Sequence, residues 1–199
     1  LASITFIGGG GHALVACDCA AAARVDVAGF YDDASDAPLI AHAKWLGPLE
    51  DALDIASPWL LALGDLTTRR RVLRSLDSGA ESIIHAGAVV SPTARIGRGV
   101  LIGPGAIVNA RARIADHAII NSGAVVEHEC EVGVNAHIAP GAVLGGRAAV
   151  GDDTLIGINA AVLPGVTIGA RCTIGAGAVV TRPIENAKTA TGAPARPLR

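Results

Sequence analysis

The sequence predicts an α/β unit followed by a parallel β-helix, on three observations. An aliphatic residue recurs every six positions from Ile84 to Val180, all five aromatic residues lie before position 60, and the first eighty residues alternate strand and helix patterns around a glycine turn. The boundaries that follow are residues 1–80 for a Rossmann-like unit, 81–183 for the β-helix and 184–199 for a C-terminal tail.

In chain order, SITFI reads as a strand, GGGGHA as a tight turn, LVACDCAAAAR as a helix and VDVAGFYDD as a second strand. PWLLALGD reads as a third strand and TTRRRVLRSL as a second helix. Gly8, Gly10 and Ala13 match the G-x-G-x-x-A form of a nucleotide-binding turn, and Asp32 and Asp33 end the second strand about twenty residues on, where ribose or base is bound. Glycines there let backbone N–H groups approach phosphate at a helix N-terminus. The substrate-binding set predicted from this unit is Gly8, Gly9, Gly10, His12, Asp32, Asp33 and Gly64. No length remains for the second half of a dinucleotide site, which favours a nucleotide-sugar or a sugar over NAD.

From Ile84 to Val180, seventeen positions spaced by six are all Ile, Val or Leu. Small residues such as Ala106, Ala112 and Ala118 follow four positions later, and Gly or Asn recurs directly after the aliphatic, as at Gly97, Gly103, Asn109 and Asn121. Period six fits neither a helix nor an alternating strand, but it fits coils of eighteen residues with one large aliphatic turned inward per strand. The Gly and Asn positions are expected to supply left-handed corners. Cys130 and Cys172 occupy small inward positions and read as inert core thiols.

With 199 residues, 51% hydrophobic and 17% charged, the chain buries a sizeable core, and a net charge of −2 without a basic run argues against nucleic acid. No apolar stretch reaches the roughly 18–20 residues of a membrane span. The opening LASITFIGGGG has no basic n-region, so no signal peptide is expected and a cytoplasmic location is. Four cysteines without CxxC spacing indicate reduced thiols and no metal site.

The run NAAVLPGVTIGARCTIGAGAVVTRPI, followed by GAPAR, resembles the hexapeptide-repeat acyltransferases with a left-handed parallel β-helix. GGGGHA and FYDD together with IINSGAVVEHECEVG resemble, across the whole chain, the sialic acid O-acetyltransferase and bacillosamine-pathway N-acetyltransferase family. That resemblance implies acetyl-CoA as donor, no metal, a homotrimer with sites in the clefts between helices, and acetylation of a sugar destined for surface glycans.

His128 lies at the third position of its hexad, outside the inward pattern, and a histidine suits removal of a proton as a thioester is attacked. Glu129 beside it is placed to orient the ring, and the resemblance gives these two the catalytic roles. It also implies that His137 bonds the coenzyme and Asn121 touches the acceptor. Pro140, Ile158 and Ala176, one coil apart, form a ladder for pantetheine, so the cofactor-binding set is His137, Ile158 and Ala176. Arg111 and Arg147 fall one coil below and above Glu129, and the resemblance makes Arg196 in GAPAR a candidate coenzyme contact, in a role that varies within the family. His12 reaches either substrate phosphate or a neighbouring site, whereas His42, His85 and His117 read as structural. The reaction expected is N-acetylation of a nucleotide-linked 4-amino sugar by direct attack. The alternatives are O-acetylation of sialic acid, with its carboxylate on Arg69, Arg70 or Arg71 of an otherwise solvated helix face, and a non-catalytic assembly or nucleotide-sensing protein.

Overall fold

A computed structural model describes residues 3–55, 58–76 and 78–198. Ser3–Ile7 (β1) is buried from Ile4 onward and is followed by the helix Gly11–Ala22 (α1), the strands Asp26–Tyr31 (β2), Trp45–Gly47 (β3) and Trp59–Leu61 (β4), and the helix Leu66–Leu73 (α2). The four strands are parallel in the order β3-β2-β1-β4. Ala13, Ala16 and Ala20 of α1 face the core together with Cys19, and their small size lets the helix lie close to the sheet. The Asp65 carboxylate caps α2 by accepting the Thr68 N–H at 2.7 Å. Strand β3 escapes the sequence reading because three residues carry no periodicity. It is defined by pairing with Phe30 and Tyr31 and by the Trp45 indole N–H, which donates to the Asp32 carbonyl at 2.9 Å.

Beyond residue 80, seventeen two-residue strands between Ile83 and Val180 wind into a left-handed parallel β-helix. Each strand pairs with those eighteen residues before and after it, as Ile119 does with Leu101 and His137. The aliphatic positions of the repeat fill the interior with the small residues between them, and each fully buried Val, Ile or Leu contributes about 1.5–3 kcal/mol. Ile84 is the departure, 37% exposed, because no coil lies beneath the first one.

The corners differ from expectation. The left-handed residues come two positions later than the repeating Gly and Asn, at Gly99, Gly105, Arg111, His117, Gly123, Glu129, Asn135 and their successors, all with φ between 54° and 70°. Glycines such as Gly151 and Gly157 are required for a different reason. A Cβ on either would come within 2.5 Å of the backbone of the next coil, so these sites are glycine for close stacking rather than for φ.

The three faces have different outer surfaces. The face starting at Ile83–Ile84 lies under the α/β unit, whose core includes Ile83 and Leu101. The face starting at Val89–Val90 turns Val89, Ile107, Val125, Val143, Ala161 and Val179 outward, with Val89 63% exposed. The face starting at Arg95–Ile96 is charged and carries the Arg113–Glu131 ion pair at 2.9 Å. The segment read as a tail closes the helix instead. Thr189–Thr191 joins the first face, Arg196–Pro197 pairs antiparallel to it, and Ala190 and Ala195 enter the core.

One side chain ties the two units together. Arg69 of α2 is fully buried and donates from Nη1 to the carbonyls of Leu61 and Leu63 at 2.7 and 2.9 Å. Its Nη2 donates to the His117 carbonyl at 2.6 Å and its Nε to Asn135 Oδ1 at 2.7 Å. Arg69 is therefore not on a solvated helix face. Its neighbour Arg70 is paired with Asp153 at 2.8 Å. The His117 ring stacks on Trp59 at 5.6 Å, in keeping with a structural role.

Candidate active site

The predicted residues form separate groups. In the first, His12 at the start of α1 meets His137 on the β-helix, with ring centroids 6.1 Å apart. Asn121, one coil from His137, bonds its Nε2 at 3.0 Å. Gly64 stands beside His12, where a Cβ would lie 3.4 Å from that of the histidine. Burial first, and the Arg69 cation second, pushes His12 down to about 4. Burial, the neighbouring His12 and Arg69 push His137 down to about 3, against a hydrogen bond with the Gly64 backbone. Arg69 itself is pushed by burial to about 9 and stays cationic at neutral pH. Both rings are thus neutral and suited to hydrogen bonding rather than to accepting a proton. His12 Nε2 is buried without a hydrogen-bond partner among the described residues.

The second group lies at the corner that leaves the apolar face after Val125–Val126. His128 is 52% exposed, and its Nδ1 lies 3.3 Å from Glu129 Oε2. An ionised carboxylate only accepts, so Nδ1–H donates, which in the neutral ring leaves the lone pair on Nε2. Arg147 Nε reaches the same oxygen at 3.1 Å and Arg111 reaches Oε1 at 3.6 Å, as the eighteen-residue spacing required. The hydrogen bond from His128, then Arg147 and Arg111, holds the Glu129 carboxyl below the usual range. Within one chain His128 and His137 lie on different parts of the coil, the first at a corner and the second under the α/β unit.

The third group is a groove of about 720 Å³ bordered by Gly64, Asp65, Arg70, His137, Pro140, Ile158 and Ala176. Its wall is the corner where Gly123, Gly141 and Gly177 take left-handed conformations, which leaves Ile158 bare at 53% exposure. Pro140, Ile158 and Ala176 therefore do line one surface, with His137 at its edge.

In the glycine turn the roles divide. A Cβ on Gly8 would strike Leu63 and the Ala62 carbonyl, and one on Gly9 would strike the Phe30 ring, so these two glycines serve packing. The Gly9 N–H is already donated to Asp32 Oδ2 at 2.7 Å, and Asp33 Oδ1 accepts from Leu49 N at 3.0 Å. Gly10 and Gly11 have open space above them, and α1 begins there with no side-chain cap and no acidic residue in its first turn. The uncapped donors of α1 are thus the part of the turn open to an anion.

The sequence reading offered Arg69 only as a partner for a sugar carboxylate and missed its buried role with Asn135 in joining α2 to the β-helix, as well as the outward apolar face. The signal for that face was present as an aliphatic or alanine immediately before the repeat position in every third hexad, from Val89 to Val179.

Comparison with known proteins fits this geometry. Residues 3–76 match the PglD N-terminal domain and residues 147–182 match the bacterial transferase hexapeptide (six repeats). PerB from Caulobacter crescentus, solved with CoA and GDP-perosamine, is 35% identical over 100% of this chain and 98% of its own, with a TM-score of 0.91. The chain belongs to the hexapeptide-repeat sugar acetyltransferases. The acetyltransferase domain of PglB from Neisseria gonorrhoeae, solved with acetyl coenzyme A, is a second relative in this family, 32% identical over 98% of each chain with a TM-score of 0.92. WeeI from Acinetobacter baumannii shares the fold at 21% identity over the full length of both chains and a TM-score of 0.81. No curated protein sequence matches the chain. Among the described residues no group of His, Cys, Asp and Glu is arranged to hold a metal, and no helix is long and apolar enough to cross a membrane.

Proposed function

We propose that the protein transfers acetyl from acetyl-CoA to the amine of a nucleotide-linked amino sugar, acting as a homotrimer in the cytoplasm with His128 as general base. The observation that carries this reading is the His128–Glu129 pair, with Nδ1 engaged at 3.3 Å and Nε2 left to accept a proton. The acceptor nitrogen attacks the thioester carbonyl, a C–N bond forms, and His128 Nε2 takes the proton the nitrogen gives up. As the tetrahedral intermediate collapses the C–S bond breaks, and the imidazolium returns that proton to the departing thiolate. Glu129 stabilises the imidazolium between these steps.

The groove along Pro140, Ile158 and Ala176 suits the extended pantetheine arm, with His137 and Asn121 as neutral hydrogen-bonding partners at its end. The nucleotide diphosphate belongs at the open start of α1, at Gly10 and His12, while Gly8, Gly9, Asp32 and Asp33 shape the turn around it. The outward apolar face supports a trimer, because it is uncovered while the first face is packed and the third is charged. In such an assembly His128 of one subunit is offered to the groove of the next.

Amine transfer is favoured over O-acetylation of free sialic acid by the state of the arginine run. Arg69 is consumed by four neutral acceptors and Arg70 by Asp153, and Arg71 borders a separate pocket beside Asp33 and Glu50, so none of the three lies free in the groove for a sugar carboxylate. The test is thiol release from acetyl-CoA with UDP-, GDP- and dTDP-linked 4-amino sugars and free sialic acid. Turnover with a nucleotide-linked amine, reduced by about 10²–10⁴-fold in His128→Ala, is expected. Turnover with sialic acid alone, or a folded His128→Ala variant with full activity, overturns the reading.

A further inference from the structure

His128 and Glu129 are adjacent in sequence, and adjacency alone does not hold an exposed imidazole in one orientation. Glu129 sits in the left-handed region, φ 59°, which turns its side chain along the corner toward the next coil. There it meets Gly146 and Arg147, eighteen residues after His128 and Glu129 respectively. Arg147 binds the pair twice. Its backbone N–H donates to the His128 carbonyl at 2.9 Å, and its guanidinium Nε donates to Glu129 Oε2 at 3.1 Å. Gly146 lies against the imidazole, and a Cβ there would come within 2.5 Å of His128 Nε2 and 2.7 Å of Cε1. Gly146 is not left-handed, so what a side chain there would displace is the His128 ring rather than the backbone.

We propose that Gly146 and Arg147 form a platform that positions the base: Arg147 fixes the Glu129 carboxylate that orients His128, and Gly146 leaves the room in which the ring lies. This rests on the reading of His128 as general base. Arg147 is a positioning residue, acting through Glu129. Arg111 supports it more weakly, from 3.6 Å and on the other oxygen. The charged groups around the dyad are Glu127 on the same turn, Arg111 and Arg147 on the coils either side, and the Arg113–Glu131 pair across the adjoining shallow pocket. An isolated exposed ion pair contributes little to stability. The effect expected here is on the rate, through geometry and local charge.

The experiment compares Arg147→Asn, Arg147→Lys, Glu129→Gln, the Arg147→Asn/Glu129→Gln double variant and His128→Ala in the thiol-release assay across pH. Asparagine tolerates the left-handed backbone at position 147, φ 61°, so the corner is kept. Arg147→Asn is expected to lower kcat about tenfold with both KM values within about twofold, since a displaced base costs rate rather than binding. Loss of the cation favours a protonated imidazole, so the acid limb of kcat/KM moves to higher pH. Arg147→Lys retains the charge and returns the limb toward its original position. In the Glu129→Gln background the Arg147→Asn loss shrinks to under about twofold, because the residue acts through that carboxylate. Wild-type kcat in Arg147→Asn, or the same loss with and without Glu129, overturns the platform while an inactive His128→Ala leaves the base assignment standing. Full activity in His128→Ala removes the base assignment itself.

Discussion

Two histidines nine residues apart, His128 and His137, occupy opposite environments on one repeat. His128 is half exposed beside a carboxylate that arginines hold in place, whereas His137 is enclosed with another imidazole and a buried guanidinium. The repeat gives every strand the same backbone, so what differs is what each corner or face meets. An open corner next to Glu129 leaves the His128 ring accessible to a group from outside the chain. A face roofed by the α/β unit suits a group that must stay neutral and aim hydrogen bonds. The roles proposed for the two rings, base and neutral hydrogen-bonding partner, follow this difference in burial and in the sign of the nearest charge.

Substitutions break this contrast in opposite ways. The largest effect on rate is expected at His128→Ala, a loss of about 10²–10⁴-fold in kcat with an unchanged thermal midpoint, since the exposed ring carries little packing. The largest effect on stability is expected at Arg69→Met. It strands the carbonyls of Leu61, Leu63 and His117 and the Asn135 amide oxygen in a buried seam, and about 3 kcal/mol of unfolding free energy is lost in denaturant titration. A Val125→Glu/Val143→Glu variant places two charges on the apolar face and is expected to run as a monomer by light scattering with its far-UV spectrum intact. The smallest effect at neutral pH comes from the buried histidine pair, whose contribution appears only as pH falls. His12 and His137 are held below the ordinary 6.5, so the unfolded chain binds more protons than the folded one between about 6.5 and about 4. Stability from these groups is full above pH 6.5 and declines as pH falls toward 4, by at most about 1.4 kcal/mol per pH unit for each ring. His137→Asn flattens that slope.

The β-helix was legible because its period is strict and its core is built from one aliphatic per strand. The Arg111–Glu129–Arg147 ladder was equally legible, since residues eighteen apart must stack. The left-handed corners were misplaced by two residues because the visible glycines mark close coil contacts, while the corners themselves accept Arg, His, Glu and Asn. Arg69 was unreadable from sequence. Nothing in TTRRRVL separates the arginine that enters the seam from the two that stay at the surface, and its partners lie 48 and 66 residues away. The glycine turn gave its place but not its division of labour, which depends on Phe30, Leu63 and Asp32 closing over Gly8 and Gly9.

The central claim is that a working site joins the exposed corner of one subunit to the buried pair of another. Mixing refolded His128→Ala and His137→Ala chains, each nearly inactive alone, tests it directly. If each site draws the two residues from different subunits of a trimer, random equimolar assembly restores about a quarter of wild-type thiol release. Activity that stays at the level of the separate variants, in mixed trimers verified by mass, contradicts it.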